Sequence, residues 1–186
     1  SGMVAGYLET GDPYLLDTAR AVAESAYSWD RANWPRRSFG RDAAYIRGLV
    51  YLYRYLGDPG DLARAREALH RVVSTQLPDG SFADQGSTVG IHAAMNLIVK
   101  PWMGYIATEA MVDYLAFAPD EQIERSALAF SRWLLTCRVR DEQGVRWPYQ
   151  SSHAGANVTY RMDGTVAPML TNLFHLEYLA KIQGNL

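Results

Sequence analysis

The chain has 186 residues, of which 48% are hydrophobic and 20% charged, so it carries enough apolar material for a packed core and is not a disordered polymer. Its 18 basic and 20 acidic side chains leave a net charge of −2, which excludes a global field attracting nucleic acid or an anionic membrane. The single cysteine, Cys137, excludes an internal disulfide and a cysteine-based zinc cluster. We expect one domain with no membrane span, no metal and no cofactor.

Apolar residues recur at helical spacing along almost the whole chain, which predicts an all-α protein. Residues 3–10 have the pattern of a helix that ends at Gly11. Further helices are predicted at residues 13–28, 41–56, 59–76, 101–117, 120–138 and 164–183. The segment GIHAAMNLIV, residues 90–99, is compatible with either a short helix or a strand.

A Gly-Asp-Pro phrase is repeated between successive helices. It closes YLETGDP at residues 7–13 and YLYRYLGDP at residues 51–59. Glycine suits the position after a helix C-terminus, aspartate caps the free N–H groups of the next helix, and proline suits its first position. A related turn follows Ala118, and Gly184-Asn185 repeats the start of the phrase. The phrase is therefore predicted to be a structural hinge within helical hairpins.

Short and long connections alternate along the chain. The hinges are short, whereas residues 29–40, 77–100 and 139–163 form long polar connections rich in aromatic side chains. Helices after each hinge are amphipathic and those before it are apolar nearly all round, which predicts an outer and an inner helix layer. Function is expected at the end of the scaffold that carries the long connections.

This pattern, together with the motif Gln-x-Pro-Asp-Gly-Ser-Phe at residues 76–82, resembles the six-hairpin (α/α) toroids of polysaccharide-processing enzymes, which include glycoside hydrolases and polysaccharide lyases. The resemblance spans the whole chain, but the chain holds about three hairpins, at residues 12–57, 58–118 and 119–184. It implies one helical-hairpin domain that is half, or a fragment, of a larger toroid. It also implies a substrate cleft at the rim with the long connections, near the N-termini of the inner helices.

Gln76, Gly80 and Phe82 also resemble the Gln-x-x-x-Gly-x-aromatic motif of squalene and related terpene cyclases, which are toroids too. The chain has one copy of this motif and no run of clustered acids similar to the aspartate-rich motif of those cyclases. In both families the resemblance implies a structural role for the Gln and the Gly, which staple the end of an outer helix to the next connection.

A glycoside hydrolase needs two carboxyl groups, one on either side of the scissile bond. Asp84 lies in a loop just after Phe82, and Asp163 lies at the predicted start of an inner helix, so both fall at the expected rim. A hydrolase would use Asp84 together with Glu109 or Asp163. The alternative for an aspartate at a helix start is an N-cap.

Glu109 and Asp113 are four residues apart on a predicted inner helix and so share one face. Acids inside an apolar helix need partners or a wet cavity. They are therefore either catalytic groups or members of a structural ion pair with Arg47 or Arg54 on the neighbouring inner helix.

A lyase needs a group that neutralises a uronate carboxylate and a Tyr or His that removes the C5 proton. His153 and Tyr160 are the candidates for proton removal, because both fall in the third long connection. His92 and Arg161, also in polar connections, are candidates for substrate binding.

Aromatic side chains recur on the long-connection side of every hairpin, and sugar rings stack on such side chains through their C–H faces. The alternative is that these rings pack each connection onto the hairpin beneath it. Together with the cation Arg37, the candidate substrate-binding aromatic residues are Trp34, Phe82, Trp102, Trp147 and Tyr149.

The sequence therefore predicts a domain that binds an oligosaccharide or polysaccharide and cleaves it, with hydrolysis and elimination nearly equally favoured. The alternative class is a non-catalytic helical repeat that binds a protein partner or a second copy of itself, because three hairpins leave one side of the inner helices uncovered. A homodimer, or the remainder of a longer parent chain, would cover that side. A terpene-cyclase-like toroid is the further alternative.

Overall fold

The structure is a computed structural model that describes residues 2–33, 44–82, 98–99, 101–142, 144–146 and 151–152. This part of the chain is mostly helical, as predicted, and the predicted helix at 164–183 lies outside it. Its helices are α1 Gly2–Thr10, α2 Pro13–Ala32, α3 Ala44–Leu56, α4 Pro59–Val73, α5 Pro101–Leu115 and α6 Glu121–Thr136. None of these helices combines the length and the apolar character that crossing a membrane demands.

The repeated Gly-Asp-Pro phrase forms the predicted hinge. Gly57 has a φ of 77°, and its N–H donates to the carbonyl of Tyr53, which ends α3. Asp58 then caps α4, since its Oδ1 accepts the N–H of Gly60 at 2.8 Å. The same arrangement recurs at Gly11-Asp12-Pro13, where the glycine φ is 71°. Only a residue without Cβ adopts this left-handed conformation cheaply, which explains the glycine in both hinges.

The helices pack as successive hairpins, α1 with α2, α3 with α4 and α5 with α6. Neighbouring hairpins meet through α3 and α5, through α2 and α3, and through α4 and its neighbours α5 and α6. The apolar character expected of an inner helix holds for α5, because none of its residues whose burial is described is exposed. It does not hold for α3, because that helix has a solvent-reaching polar face with Arg47 half-buried and Arg54 exposed.

The core lies between these hairpins. Its largest fully buried side chains include Ile46, Leu49, Leu69 and Phe130, each of which stabilises the fold by about 1.5–3 kcal/mol on burial. Helices α5 and α6 approach closely at Gly104, where an added Cβ would lie 2.3 Å from the Phe130 ring. The glycine therefore sets the spacing of this hairpin.

The motif at residues 76–82 forms the predicted staple. The Gln76 side-chain amide donates to the carbonyls of Gly80 and Ser126, each at 2.9 Å, and so ties the end of α4 to α6. Gly80 has a φ of 91°, and an added Cβ would lie 2.4 Å from the carbonyl oxygen of Ala129. Phe82 packs against Phe130 with ring centres 5.5 Å apart. The whole motif thus has a structural role.

Two short antiparallel ribbons lie in the long connections. Strand β1 (Ile98–Val99) pairs with β4 (Ser151–Ser152), and β2 (Val139–Asp141) pairs with β3 (Gly144–Arg146). The last two residues of the segment at 90–99 therefore form a strand. The β2–β3 hairpin was not predicted from the sequence. Strands of two or three residues are too short to show an alternating pattern. The β1–β4 pair joins the connection before α5 to the one after α6.

Candidate functional site

Helices α3 and α5 lie side by side, and each carries polar or aromatic side chains at four-residue spacing along one face. Residues three or four apart on a helix lie above one another, so each set forms a row. We call these two rows the α3–α5 face, which comprises Arg47, Tyr51 and Tyr55 on α3 and Tyr105, Glu109 and Asp113 on α5.

Arg47 binds both carboxylates of the α3–α5 face. Its Nη1 contacts Glu109 Oε1, and its Nε donates to Asp113 Oδ2 at 2.5 Å. The three side chains are between 18 and 33% exposed, so the cluster reaches solvent without being fully hydrated. This confirms the ion pair with Arg47 that was expected as the alternative role of Glu109 and Asp113.

The electrostatics of this cluster hold Arg47 in its charged form. Burial lowers the pKa of Arg47, but the hydrogen bond and charge of Asp113 and the charge of Glu109 outweigh burial, and the net pKa is raised. For Tyr105, burial is the main cause of a rise in pKa to about 12, and the charge of Glu109 and its hydrogen bond add to it. The Tyr105 hydroxyl therefore keeps its proton at neutral pH and serves as a hydrogen-bond donor beside Glu109.

Aromatic rings continue the α3–α5 face along α3. The guanidinium of Arg47 lies 5.5 Å from the centre of the Tyr51 ring, and the rings of Tyr51 and Tyr55 are 6.0 Å apart. Tyr55 is 42% exposed, and the guanidinium of Arg54 lies 5.3 Å from its ring centre. The face thus combines carboxylate acceptors and an accessible ring surface.

Most of the candidates named from the sequence lie outside the described residues, so the structure does not test whether they lie close together. Glu109 lies on the α3–α5 face, and the backbone of Trp102 lies in the first turn of α5. Phe82 is only 2% exposed and packs on Phe130, so it secures its connection and has no free face for a sugar ring. The candidates outside the described residues are Asp84, Asp163, His153, Tyr160, Trp34, Arg37, His92, Trp147, Tyr149 and Arg161.

The sequence interpretation did not select the tyrosines of the α3–α5 face. Tyr51 and Tyr55 are four residues apart, and so are Tyr105 and Glu109, which is a signal visible in the sequence. It becomes meaningful only when α3 and α5 are known to pack with these rows on the same side.

A second polar cluster lies where α2 ends, α3 begins and α4 ends. The fully buried carboxylate of Asp30 accepts hydrogen bonds from the hydroxyl of Tyr45 and, at 3.3 Å, from Arg71. Burial is the main cause of a raised pKa for Tyr45, and the hydrogen bond to Asp30 adds to it. Tyr27 donates to Glu67 at 2.6 Å on the rim of this cluster. These contacts join three helices. Because the carboxylate of Asp30 is inaccessible to solvent, the cluster is not a ligand site.

A third cluster joins the outer helices at the hinge side. Asp120 caps α6 through its Oδ1, while its Oδ2 accepts from Arg66 at 2.9 Å and lies 2.9 Å from Nε2 of His70. Burial raises the pKa of Asp120, but the hydrogen bonds from His70 and Arg66 and from the N–H of Ile123 outweigh it, and the net pKa is lowered. His70 is half-buried against Asp120.

Within the described ranges, no three histidine, cysteine, aspartate or glutamate side chains come together as a metal site. No protein-family model matches the chain, and no curated protein matches it significantly.

Proposed function

We propose that this protein binds and cleaves an oligosaccharide or polysaccharide, and that the α3–α5 face forms part of its cleft. The observation that carries the proposal is the half-buried pair of carboxylates held by Arg47 beside tyrosine rings that reach solvent. Asp113 and Tyr55 lie in the last turns of α5 and α3, on the hinge side. Arg47 and Tyr105 lie near the N-termini of these helices, where the long connections meet them. The resemblance to polysaccharide-processing toroids implies a cleft at this end.

The chemistry of the α3–α5 face suits a sugar. Carboxylates such as Glu109 accept hydrogen bonds from sugar hydroxyls. The exposed ring of Tyr55 offers a surface on which the C–H face of a sugar stacks. A few oriented polar groups beside aromatic surface are typical of small-molecule sites.

Glu109 and Asp113 do not by themselves form the carboxyl pair of a hydrolase. Both contact the same guanidinium and lie on the same helix, whereas a hydrolase places its two carboxyl groups on opposite sides of the bond. Hydrolysis therefore requires a second group facing Glu109, for which Asp84 and Asp163 are the candidates. Elimination would instead use His153 or Tyr160 to remove the proton.

A panel of neutral and acidic oligosaccharides tests this proposal. Hydrolysis yields new reducing ends without a chromophore, whereas elimination yields an unsaturated uronide that absorbs ultraviolet light. Glu109→Gln should abolish turnover or weaken binding while leaving the fold intact. The matched control is Glu121→Gln, because Glu121 is 78% exposed on the outer helix α6. If both variants were equally active on a substrate that the wild type cleaves, Glu109 would not belong to the cleft. If no oligosaccharide of the panel bound, the proposed function would be contradicted.

Self-association as a non-catalytic repeat is the second candidate function. Its motivation is the apolar surface of α1, where Met3 and Leu8 are exposed and a groove of about 440 Å³ is lined by α1, α2 and α3. Sedimentation of the full chain together with binding of a hydrophobic dye tests it. A monomer that binds no dye would count against self-association. The staple at Gln76 and Gly80 is compatible with both toroid families and does not favour the terpene-cyclase alternative over carbohydrate processing.

A further inference from the structure

We infer that the sugar unit bound beside Glu109 and Asp113 is neutral or cationic and is not a uronate. The inference rests on the proposed function and narrows its substrate class. It comes from the way in which Arg47 is already engaged by side chains of the protein itself.

Each of the three nitrogens of the Arg47 guanidinium already has a partner within the protein. Nε donates to Asp113 at 2.5 Å, Nη1 contacts Glu109, and Nη2 donates to the hydroxyl of Tyr51 at 3.5 Å. An arginine recognises a carboxylate best through two parallel N–H groups. The contacts use three of the five N–H groups, so a uronate would have to compete with two carboxylates of the protein for this guanidinium.

The local charge also disfavours an anion. One guanidinium and two carboxylates sum to a charge of −1 at this point of the α3–α5 face. These side chains are at most one-third exposed, so solvent screens their field less than it would at an open surface. An amino sugar would be attracted to this position, and a neutral sugar would only need to donate its hydroxyl protons to the carboxylates.

Arg54 lies on the same side of α3 as Arg47 but is too far away to offset the negative charge beside Glu109. It is seven residues beyond Arg47, which is roughly 10 Å along the helix axis and longer than the Debye length of about 8 Å in physiological salt. Its guanidinium lies over the ring of Tyr55. It would therefore meet the next sugar unit along the cleft, not the one at Glu109. An elimination reaction would have to obtain its neutralising cation outside the Glu109–Asp113 position.

The test compares oligosaccharide pairs that share a backbone and differ in charge. Tetramers of glucose and glucuronate, of galactose and galacturonate, and of mannose and mannuronate are titrated into the full chain by calorimetry, with a chitosan tetramer as the cationic probe. In at least one pair the neutral member should bind about fivefold more tightly or better, as expected for one unit charge near another in water. The difference should shrink as salt is added.

Asp113→Asn should reduce this discrimination, whereas Glu121→Gln, the same type of charge change on an exposed outer position, should leave it unchanged. Binding of the uronate as tightly as its neutral partner in every pair that binds, or discrimination that does not respond to salt, would overturn the inference while leaving the proposed function standing. The salt series uses the wild type, so it tests the inference about sugar charge even if Asp113→Asn does not fold. Failure of every tetramer to bind would instead overturn the proposed function, and the inference with it.

Discussion

The hydroxyl of Tyr45 in the first turn of α3 donates a hydrogen bond to the fully buried carboxylate of Asp30 near the end of α2. Arg71 of α4 contacts the same carboxylate, so one buried acid joins three helices. A buried acceptor that loses a donor keeps its desolvation cost, which makes such a contact expensive to break.

Tyr45→Phe should lower the free energy of unfolding by about 1–3 kcal/mol, because it leaves the Asp30 carboxylate with one donor fewer in a site without water access. Urea unfolding measures the change. Tyr14→Phe is the matched control, since Tyr14 is 72% exposed on α2, and it should change stability by less than about 0.5 kcal/mol. Equal behaviour of the two variants would show that the buried hydrogen bond contributes nothing.

Three Gly→Ala variants should separate conformational strain from steric clash. Gly48→Ala should stabilise α3 by about 0.5–1 kcal/mol, because the added Cβ meets nothing within 4 Å in a helix. Gly57→Ala also meets open space but has a φ of 77°, so it should cost about 1–2 kcal/mol. Gly80→Ala should cost more than Gly57→Ala, because its Cβ would collide with the carbonyl of Ala129. Thermal unfolding of the three variants in parallel would expose any other order.

Arg47 and Asp113 should be energetically coupled. Removing either partner alone leaves the other half-buried charge without this partner. Removing both leaves less unpaired charge than the two single changes together. A double-mutant cycle with Arg47→Gln and Asp113→Asn should give a coupling energy of about 0.5–3 kcal/mol in urea unfolding. Strict additivity would mean that the contact is not maintained in solution. Arg125→Gln with Glu121→Gln, an exposed pair on α6, provides a reference cycle that should be near zero.

Asp120 should make stability depend on pH in the acid range. Because its pKa is lowered in the folded state, its contribution is present above the ordinary aspartate pKa of about 3.9 and is lost as the pH falls through the folded value. Asp120→Asn should therefore cost about 1–3 kcal/mol at neutral pH, through the lost cap and ion pairs, and progressively less below about pH 4. Asp17→Asn, at an exposed position of α2, should cost little at any pH. A difference between wild type and Asp120→Asn that persisted undiminished at low pH would contradict this assignment.

The hinges were predictable because they depend on contacts within a few residues. The left-handed glycine at Gly57 and the cap at Asp58 follow from backbone stereochemistry and from hydrogen bonds to the nearest N–H groups. The staple was instead implied by the family resemblance, because the Gln76 amide also reaches Ser126 on another helix. The end of α2 was less predictable. That helix runs to Ala32, beyond its predicted end at residue 28, and its last turn contains Asp30, which is held by Tyr45 and Arg71.

By itself, the sequence determined the mostly helical class and the positions of the hinges, since local stereochemistry and helical periodicity decide these. Only the tertiary structure decided that Phe82 belongs to the core and that Arg47 binds Glu109 and Asp113. Those contacts join side chains that are about 50 or more residues apart, and their formation depends on which helix faces pack together. Periodicity within a single helix does not contain that information.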